Sequence, residues 1–392
     1  MVIIMNIDIS KRTIFLVLSG SRAYGFSNPD SDYDYRGIAI PPLDTYVGIK
    51  DKFEHIVSKE VWKEFTKPIC SQDLVEENAD MQVYELSKFV RLAAQCNPSI
   101  IEILFTDPNT YVEPPHPIMD RLLDNRHLFL SKQAKARFCG YALSQLNRIK
   151  RHKKWIDDPL TAPPTRAEFG LADKKLISLD QLGAAGAIID HELSKFMVEQ
   201  TELPEHIKIE LAAEMNRALK FTWQALHQDR PFPVGDGLTF ESTEDAQKLS
   251  IARYEGFSEN FLVILDAEKR YRAAKQHWDS YVHWQQERNP ARAELEKKFG
   301  YDTKHATHLV RLIRMAREIL ETGQVQVFRA DAEELRSIRA GAWTYEKIVE
   351  FAEQEDIALV EVAKNSKLPK SPDINKIHEI TFNMIMDFNA AF

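Results

Sequence analysis

The sequence has few cysteines and no long hydrophobic run, and both absences narrow what the chain can be. The three cysteines, Cys70, Cys96 and Cys139, are scattered and show neither metal-ligand spacing nor a disulfide framework. We therefore expect a cytoplasmic protein, because thiols stay reduced in that compartment. No apolar run reaches the roughly 20 residues of a membrane-spanning helix. The apolar residues 1–4 are too few for a signal peptide, so no membrane partner is expected.

A net positive charge is absent as well. The chain has 51 lysines and arginines against 59 aspartates and glutamates, which gives a formal net charge of −8. No overall field therefore attracts nucleic acid or an anionic membrane, and any site for a polyanion must be a local basic patch. The hydrophobic fraction of 44% and the length of 392 residues suit a globular protein of two or three domains.

Short apolar runs rich in β-forming residues indicate a mixture of strands and helices in the first hundred residues. Residues 13–18 read TIFLVL and end at a Gly-Ser turn, which is typical of a buried strand. Apolar residues at helical spacing follow at 86–95, and Asn97 and Pro98 end that helix. The apolar run 100–105 fits either a helix or a strand. The four expected strands are residues 13–18, 33–40, 53–57 and 80–84.

A proline-rich stretch at residues 107–117 predicts the boundary between two domains. Residues 1–110 are expected to form a mixed sheet with helices. Beyond the boundary helical periodicity dominates, so residues 118–392 are expected to form a mostly helical domain. The predicted fold class is therefore α+β. The expected helices beyond the boundary are residues 121–155, 180–199, 204–227, 244–254, 258–284, 303–322, 331–339, 345–354 and 374–388.

A turn of small residues follows the first strand, and its chemistry suits phosphate. Gly20 allows the backbone to approach a ligand closely, and successive N–H groups in such a turn form an anion-binding nest. The Ser21 hydroxyl is placed to donate to a phosphate oxygen, and the Arg22 guanidinium is placed to neutralise one. A Gly-Ser turn alone is also common as an ordinary turn.

Two carboxylates follow on the next expected strand. Because side chains alternate along a strand, Asp32 and Asp34 point to the same side, and so does Arg36. Two adjacent carboxylates repel unless a cation lies between them, and carboxylates with substrate phosphates are the ligands that Mg²⁺ prefers. Arg36 would then contact a phosphate or pair with an aspartate. Glycosyltransferases carry an Asp-X-Asp as well, but that activity gives no reason for the Gly-Ser turn.

A cationic stripe lies on the helix expected at residues 303–322. Lys304, His308 and Arg311 are spaced so that they share one helix face, and His305 lies beside them. The stripe is either a clamp for phosphate groups or a solvated helix face. The two histidines, three residues apart, also suggest a metal site, but the sequence implies no further ligand for it. In a clamp, the two histidines would make substrate binding sensitive to pH near neutrality.

A second basic patch, residues 148–154, reads RIKRHKK and ends at Trp155. Such a patch suits an RNA end, because the cations contact phosphates and the indole stacks on a base. It is equally typical of a helix C-terminus that complements the helix dipole. Arg339, in an Arg-Ala-Gly turn, is a further candidate for substrate contact.

The segment from the Gly-Ser turn to the paired aspartates, GSRAYG followed by SDYDYRG, resembles the signature of the DNA polymerase β superfamily of nucleotidyltransferases. Within that superfamily the chain is similar to the RNA-repair-pathway polymerase-β-like branch. The resemblance covers both ends of the chain and is weakest at residues 160–254. Further segments similar to that branch are residues 84–89, 97–105, 300–312 and 331–347.

The resemblance implies a third carboxylate on a later strand. The candidates are Asp73, Glu76, Glu77, Asp80 and Glu85. A position at the start of the strand before the helix at residues 86–95 favours Asp80, and the alternative is a solvated loop residue. With Asp32 and Asp34 it would form a set of catalytic acids that binds two Mg²⁺ ions, with Mn²⁺ as an alternative cofactor.

The resemblance also implies nucleotide- and phosphate-binding residues in both domains. It favours the clamp over the solvated face for the stripe on the helix at residues 303–322. It further implies that residues 1–110 form the mixed sheet of a polymerase-β-like catalytic domain. The phosphate-binding residues would be Gly20, Ser21, Arg22, Arg36, Lys304, His305, His308 and Arg311.

The implied activity is that of an Mg²⁺-dependent nucleotidyltransferase of the EC 2.7.7 type. An NTP would donate its NMP to a hydroxyl by in-line attack on the α-phosphorus, with release of pyrophosphate. The implied acceptor is an RNA end, in repair or end modification, with an RNA ligase as a partner in the same pathway. A protein or small-molecule acceptor is the alternative within the enzyme class. An inactive NTP-binding scaffold is the non-enzymatic alternative.

Overall fold

A computed structural model describes residues 9–28, 31–47, 53–57, 79–173, 178–194, 256–257, 259–288 and 290–391. Outside these ranges lie the predicted helices at 204–227 and 244–254, together with Cys70 and the acid candidates Asp73, Glu76 and Glu77. The chain divides into two compact units. The first unit joins Met1–Pro159 with Arg288–Phe392, and the second unit is Leu160–Glu287.

A four-stranded mixed sheet lies in the N-terminal part of the first unit. The strands are β1 (Thr13–Ser19), β2 (Tyr33–Ala39), β3 (His55–Val57) and β4 (Ala79–Glu85), all at or close to their predicted positions. They stand in the order β1-β2-β4-β3. β2 pairs antiparallel with β1 and parallel with β4, and β3 pairs antiparallel with β4. With the helices that follow, this sheet confirms the predicted α+β fold class.

Helices make up most of the remaining described chain. The α-helices in chain order are α1 (Ile9–Arg12), α2 (Gly20–Ala23), α3 (Asp44–Val47), α4 (Leu86–Ala94), α5 (Pro98–Phe105), α6 (Asp120–Leu123), α7 (Gln133–Asp157), α8 (Leu179–Ser194), α9 (Glu259–Glu287), α10 (Pro290–Phe299), α11 (Thr303–Thr322), α12 (Ala332–Arg339), α13 (Tyr345–Asn365) and α14 (Ile374–Ala390). Short 3₁₀ helices lie at Pro108–Thr110, Pro117–Met119, Arg126–Phe129 and Ala167–Phe169. Within the described ranges, every helix is too short or too polar to cross a membrane.

Helix periodicity predicts several of these elements, but α13 continues to Asn365 beyond the helix predicted at residues 345–354, and α10 was not predicted. The helix predicted at residues 303–322 is confirmed as α11, and the undecided run 100–105 is helical within α5. The single helix predicted at residues 121–155 is wrong, because the chain forms α6, a 3₁₀ turn and then α7. Phe129 and Leu130 are buried at this break, and Leu130 has an extended backbone with φ −86° and ψ 128°. Burial in the core overrides helix propensity here.

Local capping sets the ends of the helices around the sheet. α11 begins after Asp302, whose Oδ1 accepts hydrogen bonds from the backbone N–H groups of Lys304 (2.8 Å) and His305 (3.0 Å). It ends at Gly323, whose φ of 67° favours glycine. α4 begins after Glu85, whose buried carboxylate accepts two N–H groups of the first turn. Glu85, one of the acids considered for the catalytic site, is therefore used as the cap of α4.

Side chains that alternate along the strands enter two different cores. On one side of the sheet Leu16 joins a small cluster with Tyr35 and Met81. On the other side Val17 and Ile38 join a large core that includes the helices. α11 lies in this large core and packs along α7, and buried side chains cover most of its circumference, as expected of a central helix.

The proline-rich segment predicted as a domain boundary lies inside the first unit and covers the open edge of β1. The Val112 N–H donates to the Leu16 carbonyl (3.0 Å), and the His116 N–H donates to the Ile14 carbonyl (2.9 Å). These bonds occupy edge groups that a strand otherwise leaves unpaired. The first unit therefore contains residues from both sides of the boundary predicted at residues 107–117.

The second unit holds a well-defined ion pair. Arg166 binds both carboxylate oxygens of Glu268 on α9, at 2.5 and 3.2 Å. The guanidinium also lies over the ring of Tyr271, 5.4 Å from its centre. This bidentate ion pair connects the segment before α8 to α9.

Candidate active site

The sheet places two of the three predicted acids side by side. Asp34 on β2 is the register partner of Asp80 on the parallel strand β4, and Ser19 of β1 is its partner on the other side. Register partners on adjacent strands project from the same face of a sheet. Asp32 directly precedes β2. The three carboxylates therefore converge at one end of the sheet.

Arg36 lies between the two registered acids. Its Nη2 is 3.5 Å from Asp34 Oδ1 and 3.5 Å from Asp80 Oδ2. Its Nη1 donates to the Tyr35 carbonyl at 2.8 Å. The sequence allows Arg36 either to contact a phosphate or to pair with an aspartate, and in the structure it pairs with aspartates. The guanidinium offsets part of the repulsion between the two carboxylates.

The surroundings of Asp34 disfavour its ionised form. Burial raises the pKa of this carboxyl above its usual value, Asp80 and Asp32 raise it further, and Arg36 and Lys304 oppose the shift. A partly buried carboxylate beside two like charges is a group that a divalent cation stabilises. The three acids offer oxygen donors only, and this donor set fits Mg²⁺, which prefers carboxylate and phosphate oxygens.

The Gly-Ser turn lies directly against Asp34. Gly20 has a φ of 69°, which favours glycine, and it begins the short helix α2. The Tyr24 N–H donates to the Gly20 carbonyl at 3.1 Å and closes the turn. A Cβ atom on residue 20 would overlap the Asp34 carboxylate. Glycine is therefore required both by the backbone and by the close approach of the acid.

One cavity gathers predicted residues from both ends of the chain. The Gly-Ser turn and the acids beside it form one wall, and the first turns of α11 form another. The lining residues are Gly20, Ser21, Phe26, Ser31, Asp32, Asp34, Lys304, Thr307, His308 and Arg339. A second cavity shares Gly20, Asp34 and His308 with the first and adds Arg36. Carboxylates and cations face the same space, which suits an anionic ligand bound together with a metal ion.

Two predicted phosphate-binding residues are held in other contacts. The Arg22 guanidinium donates to the Ser31 carbonyl at 2.8 Å and lies 3.5 Å from the centre of the Tyr33 ring. His305 directs its Nε2 toward Asp302 Oδ2, at a distance of 3.5 Å. Neither side chain lines the two cavities described above.

Arg311 forms a buried ion pair instead of lining these cavities. Its guanidinium binds Glu102 of α5 and lies 3.8 Å from the centre of the Tyr24 ring. The Tyr24 hydroxyl donates to the same carboxylate at 2.5 Å. Arg311 and Glu102 are 4% and 6% exposed, so the network fixes α11 against the turn that begins at Gly20. Glu102 is the one acid in the apolar sequence PSIIEILF, a signal that sequence reasoning missed.

Some lining residues were not among the predicted ones. They are Phe26, Ser31 and Thr307. Thr307 lies one turn after Lys304, and this spacing is the signal that would have found it. Ser31 is adjacent to the paired acids in sequence, and its hydroxyl donates to the Asn28 side chain at 2.7 Å.

Comparison with known proteins connects this part of the architecture to a family. Residues 5–157 match the RNA repair pathway DNA polymerase beta family. The match confirms the resemblance to the polymerase-β-like branch of RNA repair. It contains the Gly-Ser turn and all three acids. The similarity predicted at residues 300–312 and 331–347 lies outside the match and stays a prediction.

Curated relatives match over shorter stretches. An uncharacterized 38.9 kDa protein of Enterobacteria phage T4, from the nrdC-mobD intergenic region, is 30% identical over 35% of this chain and 38% of its own length. The uncharacterized protein YcgL of Bacillus subtilis is 31% identical over 24% of this chain and 31% of its own length. An uncharacterized protein of Methanocaldococcus jannaschii is 32% identical over 26% of this chain and 37% of its own length. The chain therefore spans 31–38% of the length of these relatives. No solved structure matches the chain significantly.

His308 lies outside the region that matches the RNA repair family but lines both cavities. Burial lowers the pKa of this imidazole well below its usual value, and the neighbouring Arg311, Lys304, His305 and Arg339 lower it further. The imidazole is therefore neutral at physiological pH. This lowered pKa runs against a charge change of His308 near neutrality, and the pH sensitivity of substrate binding predicted for His305 and His308 stays a prediction.

This depressed pKa predicts an acid-sensitive contribution to stability. Below its ordinary pKa of about 6.5, His308 takes up a proton in the unfolded chain but not in the folded one. The free energy of unfolding should therefore fall as the pH drops below this value. We expect His308→Gln to remove about one proton from the uptake on unfolding. Urea unfolding of both proteins between pH 7 and pH 5 measures this difference, and parallel pH profiles would contradict the burial of a neutral imidazole.

The second basic patch is mostly exposed, but its aromatic neighbour is not. Trp155 is 2% exposed and stacks on His152, with ring centres 5.5 Å apart. The expectation that this indole stacks on RNA is therefore wrong. Lys150 pairs with Glu353 at 3.3 Å on the surface. Contact between the patch at residues 148–154 and an RNA phosphate stays a prediction.

Proposed function

We propose that this chain is an Mg²⁺-dependent nucleotidyltransferase that transfers an NMP from an NTP to a hydroxyl at an RNA end. The observation that carries the proposal is the register pair of Asp34 and Asp80, with Asp32 and the Gly-Ser turn at the same end of the sheet. Lys304 lines the same cavity as Asp32, Asp34 and the Gly-Ser turn, whereas Asp80 is not among the lining residues of that cavity. The family match over residues 5–157 supports polymerase-β-like chemistry in RNA repair.

The proposed reaction gives each side chain a distinct task. Mg²⁺ held by Asp32, Asp34 and Asp80 would neutralise charge on the triphosphate and lower the pKa of the attacking hydroxyl, with two ions in all. The acceptor oxygen attacks the α-phosphorus, the bond from phosphorus to the β-phosphate oxygen breaks, and pyrophosphate leaves. Asp80 accepts the proton of the hydroxyl. Ser21 donates to a phosphate oxygen, and Lys304 neutralises phosphate charge.

Two further side chains complete the proposed phosphate site, the Arg36 guanidinium and the neutral His308 imidazole. Arg36 already spans the two registered acids at 3.5 Å and offers further N–H groups to a phosphate oxygen. His308 supplies a neutral ring, which is a hydrogen-bonding group without a charge. Arg22, His305 and Arg311 are left out of this site because other contacts hold them.

The proposal also covers the cellular setting. The enzyme would work in the cytoplasm with Mg²⁺, or with Mn²⁺ in its place. It would act in an RNA repair pathway together with an RNA ligase that seals the modified end. The acceptor is the part of this proposal that experiment must decide first.

The test offers total RNA and total protein separately to the full chain with Mg²⁺ and each α-labelled NTP. The Asp32→Ala/Asp34→Ala variant serves as the inactive form. A matched control is Asp120→Ala/Asp124→Ala, which removes two exposed acids from α6 and its end. We expect label in RNA with the wild type and the control, and none with the Asp32→Ala/Asp34→Ala variant.

Each other outcome rejects part of the proposal. Label in protein alone would replace the RNA acceptor by a protein acceptor. Binding of NTP without transfer to any acceptor would indicate a scaffold instead of an enzyme. Equal labelling by the wild type and the Asp32→Ala/Asp34→Ala variant would remove the metal role of both acids.

Replacing Gly20 by alanine is expected to disable the transfer without unfolding the chain. The added methyl group displaces the Asp34 carboxylate. A misplacement of about 1 Å in a catalytic group lowers the rate of transfer roughly 100-fold. The left-handed backbone adds about 1–2 kcal/mol of strain. Rates of NMP transfer and thermal unfolding curves measure the two effects separately.

Gly170→Ala is the matched control for this substitution. Gly170 also has a φ of 69°, but nothing lies within 4 Å of the position where its Cβ would be. It therefore carries the same backbone strain without a clash at the acids. Equal transfer rates for the Gly20 and Gly170 variants would contradict the close packing of the turn against the carboxylate.

A further inference from the structure

Two histidines and an acid meet where α7 approaches the start of α11. A ring nitrogen from each of His152 and His305 and a carboxylate oxygen of Asp302 all lie within 4.8 Å of one another. The two histidine side chains are each 13% exposed and Asp302 is 4% exposed. All three residues belong to the first unit. The cluster is thus largely shielded from water and lies outside the set of three acids at the sheet.

The two oxygens of Asp302 face different partners. Oδ1 accepts the two backbone hydrogen bonds that cap α11. Oδ2 lies 3.5 Å from His305 Nε2. A tetrahedral Zn²⁺ ion with bonds of about 2.0–2.2 Å places two of its ligand atoms roughly 3.4 Å apart. The oxygen and the nitrogen therefore already have the separation of two zinc ligands.

A further carboxylate stands beside His152. Glu296 Oε1 is 3.5 Å from His152 Nδ1, and the Glu296 side chain is 2% exposed. Arg288 forms an ion pair with the same carboxylate. Metal-bound histidines commonly turn their second ring nitrogen toward a carboxylate, which fixes the ring and its tautomer. A metal ion bound through Nε2 of His152 would leave Nδ1 facing Glu296.

We propose that His152, Asp302 and His305 bind a zinc ion, with Glu296 as the positioning residue of His152. Two imidazoles and one carboxylate form a donor set that suits Zn²⁺, whereas Mg²⁺ prefers oxygen donors alone. Water completes the tetrahedron. The ion ties α7 to the start of α11, the helix that lines the candidate cavity. In this assignment His305 is a metal ligand and not a phosphate contact.

The test measures zinc binding by the full chain without nucleotide. The protein is stripped with a chelator and titrated with ZnCl₂ against a chromophoric chelator, in buffer that contains Mg²⁺ to occupy oxygen-only sites. We expect one zinc ion per chain and a rise in Tm that a chelator reverses. His152→Ala and His305→Ala should each weaken binding by more than roughly 100-fold, and Glu296→Gln by about 10- to 100-fold.

Three further variants make the result specific. Asp302→Asn keeps a side chain that caps α11 but loses the anionic ligand, and should bind zinc more weakly. His378→Ala removes an exposed histidine on α14 and should bind as the wild type does. Asp32→Ala/Asp34→Ala should also bind as the wild type does, which separates this site from the proposed catalytic one. The absence of stoichiometric zinc in the wild type, undiminished binding by the His152 and His305 variants, or loss in the Asp32/Asp34 variant would overturn the proposal.

Discussion

An Asp34→Asn protein is expected to lose NMP transfer by at least about 100-fold and yet to unfold at a higher temperature than the wild type in metal-free buffer. Activity would fall because the amide removes one of the three proposed anionic metal ligands. Stability rises because burial, Asp80 and Asp32 all disfavour the ionised carboxyl and raise its pKa. Above that raised pKa the folded state carries an unfavourable charge, which the amide lacks.

The pH dependence of this stability gain has a defined sign. Between the ordinary pKa of about 3.8 and the raised value, the folded wild type binds more protons than the unfolded chain. Its stability therefore falls as the pH rises through this window, and the advantage of Asp34→Asn is complete only above it. Below the ordinary pKa, Asp34 is protonated in both the folded and the unfolded chain, so the stability advantage of Asp34→Asn disappears.

Thermal unfolding in EDTA and transfer rates in Mg²⁺ measure the two halves of this prediction. Asp387→Asn is the control, because that acid lies on the surface in a pair with Arg121 and is 58% exposed. Surface pairs of this kind contribute about 0–1 kcal/mol. A metal-free Asp34→Asn protein that unfolds below the wild type would contradict the electrostatic account of the site, and unimpaired transfer would contradict its catalytic role.

Arg311→Met is expected to lower the free energy of unfolding by about 3–5 kcal/mol, because it leaves the Glu102 carboxylate buried without its cation. Glu102 is 6% exposed, and after the substitution the Tyr24 hydroxyl is its remaining donor among the contacts of this network. The loss of the pair also frees α11 from the turn that begins at Gly20. Urea unfolding monitored by circular dichroism measures the change.

Arg317→Met and a double variant provide the controls. Arg317 lies on the same helix and pairs with Glu355 at 2.7 Å, but it is 32% exposed, so its loss should cost at most about 1 kcal/mol. Glu102→Leu/Arg311→Met removes both charges and should be less destabilised than the single Arg311 variant. A double variant at least as unstable as the single one would show that packing, and not an uncompensated charge, dominates the loss.

The local chemistry of the site could be predicted from the sequence. The strand TIFLVL, the glycine turn after it and the two-residue spacing of Asp32 and Asp34 are all local patterns, and the structure places them as expected. The register of Asp34 with Asp80 could not be predicted in the same way. It depends on parallel pairing between β2 and β4, which are separated in sequence by β3 and a long connection, and such pairing is a tertiary contact.

The C-terminal contribution was predictable only in part. The helical period predicts α11 and places Lys304, His308 and Arg311 on one face. A shared face does not determine the role of each cation. α11 is buried on most sides, so each of its turns packs against different residues. Lys304 lines the cavity, whereas Arg311 meets Glu102 in the core. Sequence spacing gives the face of a helix but not the neighbour that covers it.

Transfer of an NMP from an NTP by the acids at the end of the sheet is the activity proposed for this chain. It is tested most directly by a single-turnover reaction with α-labelled and γ-labelled NTP in parallel, in the presence of Mg²⁺ and RNA. We expect the α label to enter the acceptor and the γ label to leave as pyrophosphate. Transfer of the γ label to the acceptor, or its release as inorganic phosphate with no α label transferred, would contradict the proposed activity.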